Sequence, residues 1–189
     1  MKKHALVNLD YKHQGWASLS VACLRLPDGK LIYREIEDHG SAVAVLPYDA
    51  QRKTVVLVEQ FRPAPFISDG QEKTLEAVAG ILDEADCAAA ARREAMEEAG
   101  LQLGKLEYVA TTWTMPGIST EKLTLYLAPY AATDRVAAGG GLDAEDENIR
   151  VVEMSAADFA ALMAAGDLVD MKTLALAQAL QLRHPEIYA

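Results

Sequence analysis

The sequence predicts an α/β layered fold, and three observations predict it. Two near-continuous apolar runs of strand length, Ala42 to Leu46 and Thr54 to Glu59, suit strands covered on both faces. Stretches of helix formers bounded by capping residues alternate with further strand-like runs. No internal repeat or long linker divides the 189 residues, of which 51% are hydrophobic, so a single soluble domain with a sizeable core is expected.

The elements follow in chain order. From Ala17 to Glu37 two β-branched, alternating stretches flank a Pro27-Asp28-Gly29 turn and read as a β-hairpin, a subdomain ahead of the main pattern. The strands Ala42 to Leu46 and Thr54 to Glu59 come next, joined across Tyr48 to Lys53. Pro63, Pro65 and Gly70 mark Gln60 to Lys73 as a loop, and the short apolar run Leu75 to Val78 ends at Ala79-Gly80. Asp86 is placed to cap a helix over Ala88 to Ala99, with Gly100 as its left-handed C-cap. Leu106 to Trp113 and Leu123 to Tyr130 read as strands around a Met115-Pro116-Gly117-Ile118-Ser119 loop. After Gly139-Gly140-Gly141 and a dense acidic stretch, a strand at Ile149 to Glu153 and helices at Ser155 to Ala165 and Lys172 to Leu182 close the chain.

Charge and composition exclude several classes. With 18 basic and 28 acidic residues the formal charge is −10, and no Lys/Arg cluster offers the positive surface that a phosphate-tracking nucleic-acid binder needs. Asn8 and Asp10 interrupt the N-terminal apolar residues, so a signal peptide is not expected, and no apolar run reaches the ~20 residues of a membrane helix. Cys23 and Cys87 lie outside any C-x-x-C pattern and read as buried, reduced thiols in a cytoplasmic protein. The four histidines lack ligand spacing and read as incidental.

The informative stretch is Arg93-Glu94-Ala95-Met96-Glu97-Glu98-Ala99-Gly100-Leu101. Residues four apart share a helix face about 6 Å apart along the axis, so Glu94 and Glu98 can serve one cluster of hard divalent cations. Read without its flanks, the same stretch is a solvated face with an ordinary Arg93–Glu97 pair.

With its flanks, Gly80 to Leu101 resembles the signature of the Nudix hydrolases. That signature runs Gly, five residues, Glu, seven residues, Arg-Glu, a hydrophobic residue, any residue, Glu-Glu, any residue, Gly and a hydrophobic residue. In this chain Asp86 stands at the first glutamate, Arg93 arrives one residue early, and the hydrophobic position is Ala95. Either Glu84 or Asp86 is available to anchor the shortened loop. The resemblance implies a Nudix α/β/α sandwich with a mixed central sheet over residues 40–189, and an N-terminal antiparallel β subdomain over 1–39. It implies Glu94, Glu97, Glu98 and the Ala79 carbonyl as ligands for Mg²⁺, with Mn²⁺ as a substitute, and Arg93 orienting the carboxylates.

Further segments resemble the ADP-ribose and GDP-mannose pyrophosphatase branch: Glu59-Gln60-Phe61-Arg62, Leu75 to Gly80, Pro116 to Lys122 and Gly141 to Arg150. A Pro-Gly about sixteen residues beyond the signature is a marker of this branch, and Gly117 lies sixteen after Leu101. The branch implies Glu145 as general base on the acidic loop, with Glu147 as its substitute or a further ligand. Arg34, Arg62, Glu76, Gly117 and Glu121 fall at expected substrate positions, with Trp113 and Met115 near the sugar. Tyr11, Trp16 and Tyr33 are candidates to stack on the base, in a nucleobase pocket that two subunits of a homodimer share. The expected reaction is hydrolysis of ADP-ribose to AMP and ribose 5-phosphate, with GDP-mannose, giving GMP and mannose 1-phosphate, as the alternative. A binding module with little catalysis and removal of RNA caps are weaker readings, since the ligand glutamates are retained and the chain is acidic.

Overall fold

A computed structural model describes residues 3–142 and 148–188. The chain forms two compact units, Met1–Ala42 with Thr111–Leu123, and Val43–Ala110 with Thr124–Ala189.

The first unit is built on an antiparallel sheet of β1 (Ala5–Gln14), β2 (Ser18–Arg25) and β3 (Leu31–Asp38), in that order. The expected hairpin is β2–β3, closed where Gly29 takes φ +93°. The sequence reading missed β1, which pairs along β2 with bulges at Leu6/Asn8 and Tyr11/His13. Only Leu9 in β1 is even half-buried. Leu6, Leu9, Tyr11, Ala22, Leu24 and Ile36 line a shallow apolar groove on this sheet.

The second unit holds most of a mixed seven-stranded sheet. Its strands are β4 (Ala42–Asp49), β5 (Thr54–Gln60), β6 (Thr74–Glu76), β7 (Val78–Ile81), β8 (Glu107–Trp113), β9 (Lys122–Pro129) and β10 (Arg150–Ser155). The order is β10-β5-β4-β9-β8, with β6 on β5 and β7 on β4. Its helices are α1 (Pro63–Asp69), α2 (Cys87–Ala99), α3 (Ala156–Ala165) and α4 (Met171–Arg183). Helix α1 stands where the prolines suggested a loop; Pro63 opens it, at a position whose missing N–H has no helical partner to lose.

Alternation in the central strands fills both faces of the sheet. Val43, Val45, Val56 and Val58 pack with Ala90, Ala91, Ala95 and Ala99 of α2, whose small side chains admit the helix close to the sheet. Ala44, Leu46, Val55 and Leu57 are equally buried on the other face, which α3 covers from β10 and β5. Phe159, Leu176 and Leu180 complete the core contributed by α3 and α4. The fold is α/β, as expected. Among the described residues no helix is long and apolar enough to cross a membrane.

Candidate metal centre and the residues around it

The site begins where β4 and β5 part. Their register runs only through Tyr48–Val55 and Asp49–Thr54; beyond it β6 pairs with β5 and β7 with β4. The N–H of Ala77, at the break between β6 and β7, donates instead to Thr173 Oγ1 of α4 at 2.6 Å. This sets the β7 backbone under α2, where the Ala79 N–H donates to Glu98 Oε2 at 3.1 Å. A Cβ on Gly80 would lie 2.0 Å from the Glu94 carboxyl carbon. Only glycine therefore leaves the carboxylate its place against the strand.

Helix α2 has the caps its sequence predicted. Asp86 accepts from the N–H groups of Ala88 and Ala89, and Gly100 is left-handed at φ +66°. Glu94 and Glu98 are buried on the sheet side, and Glu97 is half-buried. Arg93 pairs with Glu94 at 2.9 Å and Glu97 at 3.0 Å on its own helix, and with Asp83 at 2.9 Å and Glu84 at 3.6 Å from the preceding loop. Burial works against its charge, but Glu94, Glu97 and Asp83 together raise its pKa. The anchoring question has a divided answer: Asp83 and Glu84 tie the shortened loop to Arg93, while Asp86 caps the helix.

A second carboxylate centre lies in the same unit. Arg62 holds Glu76 through two bonds of 2.9 Å, Lys172 reaches it at 2.5 Å, and Thr74 donates to it at 2.5 Å. Burial pushes the Glu76 carboxyl up, but Arg62 and Lys172 outweigh it and bring the pKa down to about 2. Asp170 accepts from Lys172 at 3.1 Å and from the Thr173 hydroxyl, tying this cluster to the break at Ala77. Arg62, expected from sequence at a substrate position, is engaged in this structure in an intramolecular ion pair. Burial opposes the charge of Arg62, but Glu76 above all, and then Glu98 and Asp170, raise its pKa.

The remaining predicted residues fall in the first unit. Arg34 is exposed and donates to the Tyr33 carbonyl at 2.7 Å. Gly117 stands in a turn closed by the Ile118 and Ser119 N–H groups on the Met115 carbonyl, with open space around it. Glu121 accepts from Thr114 at 2.5 Å and lies 3.4 Å from His39 Nε2. The other nitrogen of His39 meets Glu37, which also accepts from Ser119 at 2.7 Å, and Trp16 stacks on the imidazole at 5.0 Å and 14°. Tyr11, Trp16, Tyr33, Trp113 and Met115 are all exposed.

The histidines are thus not all incidental. His39 links Glu37 to Glu121, and in the second unit His184 sits 3.2 Å from Glu107, which accepts from Tyr48 at 2.9 Å. Ligand spacing carries no signal for either: Glu37 is only two residues from His39, but Glu121 and, for His184, Glu107 are brought in from distant segments. Of the two thiols, Cys23 is buried and Cys87 only half-buried; both are free.

A family profile described as the NUDIX domain matches residues 38–173. The chain belongs to the Nudix family. Among its relatives are a GDP-mannose pyrophosphatase of Escherichia coli O157:H7, 35% identical over 160 residues and 83% of each chain, and one of Cronobacter sakazakii, 39% identical over 159 residues and 82% of each chain. It is accordingly a Nudix hydrolase, a class that works with divalent metal.

The Nudix residues present fit such an ion. Glu94, Glu97 and Glu98 offer carboxylate oxygens, the chemistry hard cations prefer, and the absence of a Cβ at Gly80 leaves the Glu94 carboxylate its place against the strand. Among the described residues no three acidic, histidine or cysteine side chains converge on one point, so the centre is two carboxylates set against strand backbone with Glu97 turned to Arg93. Glu145 and Glu147 lie outside the described residues.

Proposed function

We propose that this Nudix hydrolase splits the diphosphate of a nucleoside diphosphate sugar, GDP-mannose in preference to ADP-ribose, yielding GMP and mannose 1-phosphate. The observation that carries the reading is the α2 centre, where the carboxylates of Glu94 and Glu98 lie against β7 and one arginine serves the neighbouring acids. The names of the relatives favour GDP-mannose, reversing the order expected from sequence.

In this reading Glu94, Glu98, Glu97 and the Ala79 carbonyl hold Mg²⁺, for which Mn²⁺ can substitute. Bound there, the ion neutralises diphosphate charge and lowers the pKa of water. Arg93 orients the carboxylates, and Glu145, with Glu147 in reserve, takes the proton as water attacks phosphorus and the P–O–P bond breaks. The substrate contacts that the branch resemblance implies are Arg34, whose guanidinium offers forked donors to phosphate or ribose, Gly117 and Glu121, together with Arg62 and Glu76, which in this structure hold each other. The exposed strand β1 and the apolar groove beside it support a homodimer in which the N-terminal sheet is shared and contributes to the nucleobase pocket.

The test supplies GDP-mannose and ADP-ribose side by side with Mg²⁺ and measures phosphatase-sensitive product. The expected result is a preference for GDP-mannose of tenfold or more, about 1.4 kcal/mol of transition-state discrimination. Preference for ADP-ribose reverses the nucleotide, and hydrolysis of neither overturns the substrate class. Sedimentation is expected to give twice the 20.5 kDa chain mass.

A further inference from the structure

The last turn of α2 is gripped from outside by the segment that precedes the acidic loop. Gly100 and Leu101 close the helix on the Met96 and Ala95 carbonyls, which leaves those of Glu97 and Glu98 without a helical donor. The Gly140 N–H takes the Glu98 carbonyl at 2.8 Å and the Gly141 N–H takes that of Glu97 at 3.1 Å. Two more bonds, from Val136 and Ala137 at 2.9 and 3.2 Å, converge on the Gly100 carbonyl, and the Gln102 N–H reaches the Asp134 carbonyl at 2.8 Å. The approach is close enough to exclude a side chain: at Gly139, φ +73°, a Cβ would stand 2.4 Å from the Glu98 carbonyl oxygen and 2.8 Å from the Ala99 Cα. These contacts fall on Glu98, whose carboxylate lies against the strand at the α2 centre, and on its neighbour Glu97, which pairs with Arg93.

We propose that Gly139–Gly141 is a positioning element for the metal ligands: by clamping the carbonyls of Glu97 and Glu98 it holds the final turn of α2 in the geometry that presents their carboxylates. The proposal rests on the metal-binding part of the function proposed above. A helix end without such a clamp frays, and fraying here would draw Glu98 away from the Ala79 N–H. The chain contains its own control. Helix α3 also ends on a left-handed glycine, Gly166 at φ +81°, with open space around it and no metal ligand in the turn it closes.

The experiment is Mn²⁺ titration of the full chain, read by the electron paramagnetic resonance signal of free Mn²⁺, beside thermal denaturation. Gly139→Ala and Gly140→Ala are expected to weaken Mn²⁺ binding about tenfold, the usual scale for groups that orient ligands. Gly166→Ala, which suffers backbone strain of the same kind, is expected to lower the melting temperature with wild-type Mn²⁺ affinity. Should Gly139→Ala fail to fold, Gly140→Ala carries the test, because its Cβ would meet only the Ile149 carbonyl oxygen, at 3.7 Å. Strap variants with wild-type affinity, or a Gly166→Ala affinity that falls equally, would overturn the proposal. A wild-type chain that takes up no Mn²⁺ overturns the metal reading, and the positioning role with it.

Discussion

The second unit contains two carboxylate centres with opposite accounts of charge. At Glu76 one buried acid is served by two cations, Arg62 and Lys172. On α2 one cation, Arg93, is served by four acids, Asp83, Glu84, Glu94 and Glu97, and the buried carboxylate of Glu98 lies on the same helix. The first arrangement is closed, since burial costs are offset by partners already in the chain. The second accumulates negative charge that a bound cation would relieve.

Substitutions at the two centres should therefore fail differently. The largest effect is expected of Glu98→Gln, which should cost about three orders of magnitude in kcat, some ~4 kcal/mol, with no loss of melting temperature. Steady-state hydrolysis beside calorimetry checks this. Glu76→Ala should instead lose about 3–5 kcal/mol of stability in chemical denaturation, because it removes the buried carboxylate that holds Arg62 and leaves Lys172 with Asp170 alone. The Glu76 carboxyl has a pKa of about 2 against an ordinary 4.5, so its contribution is complete above that ordinary value and fades as the pH falls toward 2. The variant should accordingly lack part of the wild-type acid transition.

Two smaller effects sharpen the contrast. Gly80→Ala puts a Cβ on the Glu94 carboxylate, the movable end of a side chain, so stability should stay within about 1 kcal/mol of wild type. Its activity should nonetheless fall by ~10- to 100-fold as the carboxylate is displaced. The smallest effect, about 1 kcal/mol, is expected of His39→Asn in the first unit. Burial opposes the charge of His39, but Glu37 and Glu121 raise its pKa; burial raises that of Glu37, but Ser119 and His39 lower it. The histidine contribution is full below its ordinary 6.5 and is lost as the pH rises through the raised value, whereas that of Glu37 is lost as the pH falls below 4.5. The variant's deficit should therefore be widest between these limits, as melting temperature against pH will show.

How much the sequence disclosed varied with how local the signal was. Helix α2 was legible with both its caps because Asp86, the alanines and Gly100 act within one element. Strand β1 was not legible, although Val7, Leu9 and Tyr11 alternate with Asn8, Asp10 and Lys12, because the run is short in apolar residues and almost none of it is buried. Helix α1 hid behind Pro63 and Pro65, which serve as readily to open a helix as to mark a loop. The shared helix face of Glu94 and Glu98 was legible from their spacing, but Lys172 at Glu76 and Glu121 at His39 were not, since tertiary folding alone brings those pairs together. The shortened loop was visible as a departure in spacing. Its closure by Asp83 and Glu84 on one arginine required the fold.

The most direct test makes the same change at both centres and reads the same two quantities. Mn²⁺ affinity and melting temperature would be measured for wild type, Glu98→Gln and Glu76→Gln. The account predicts that Glu98→Gln loses the metal and keeps its melting temperature, while Glu76→Gln keeps the metal and melts lower. If Glu98→Gln binds Mn²⁺ as tightly as wild type, or if the two variants cannot be told apart, the distinction between an open and a closed carboxylate centre is wrong.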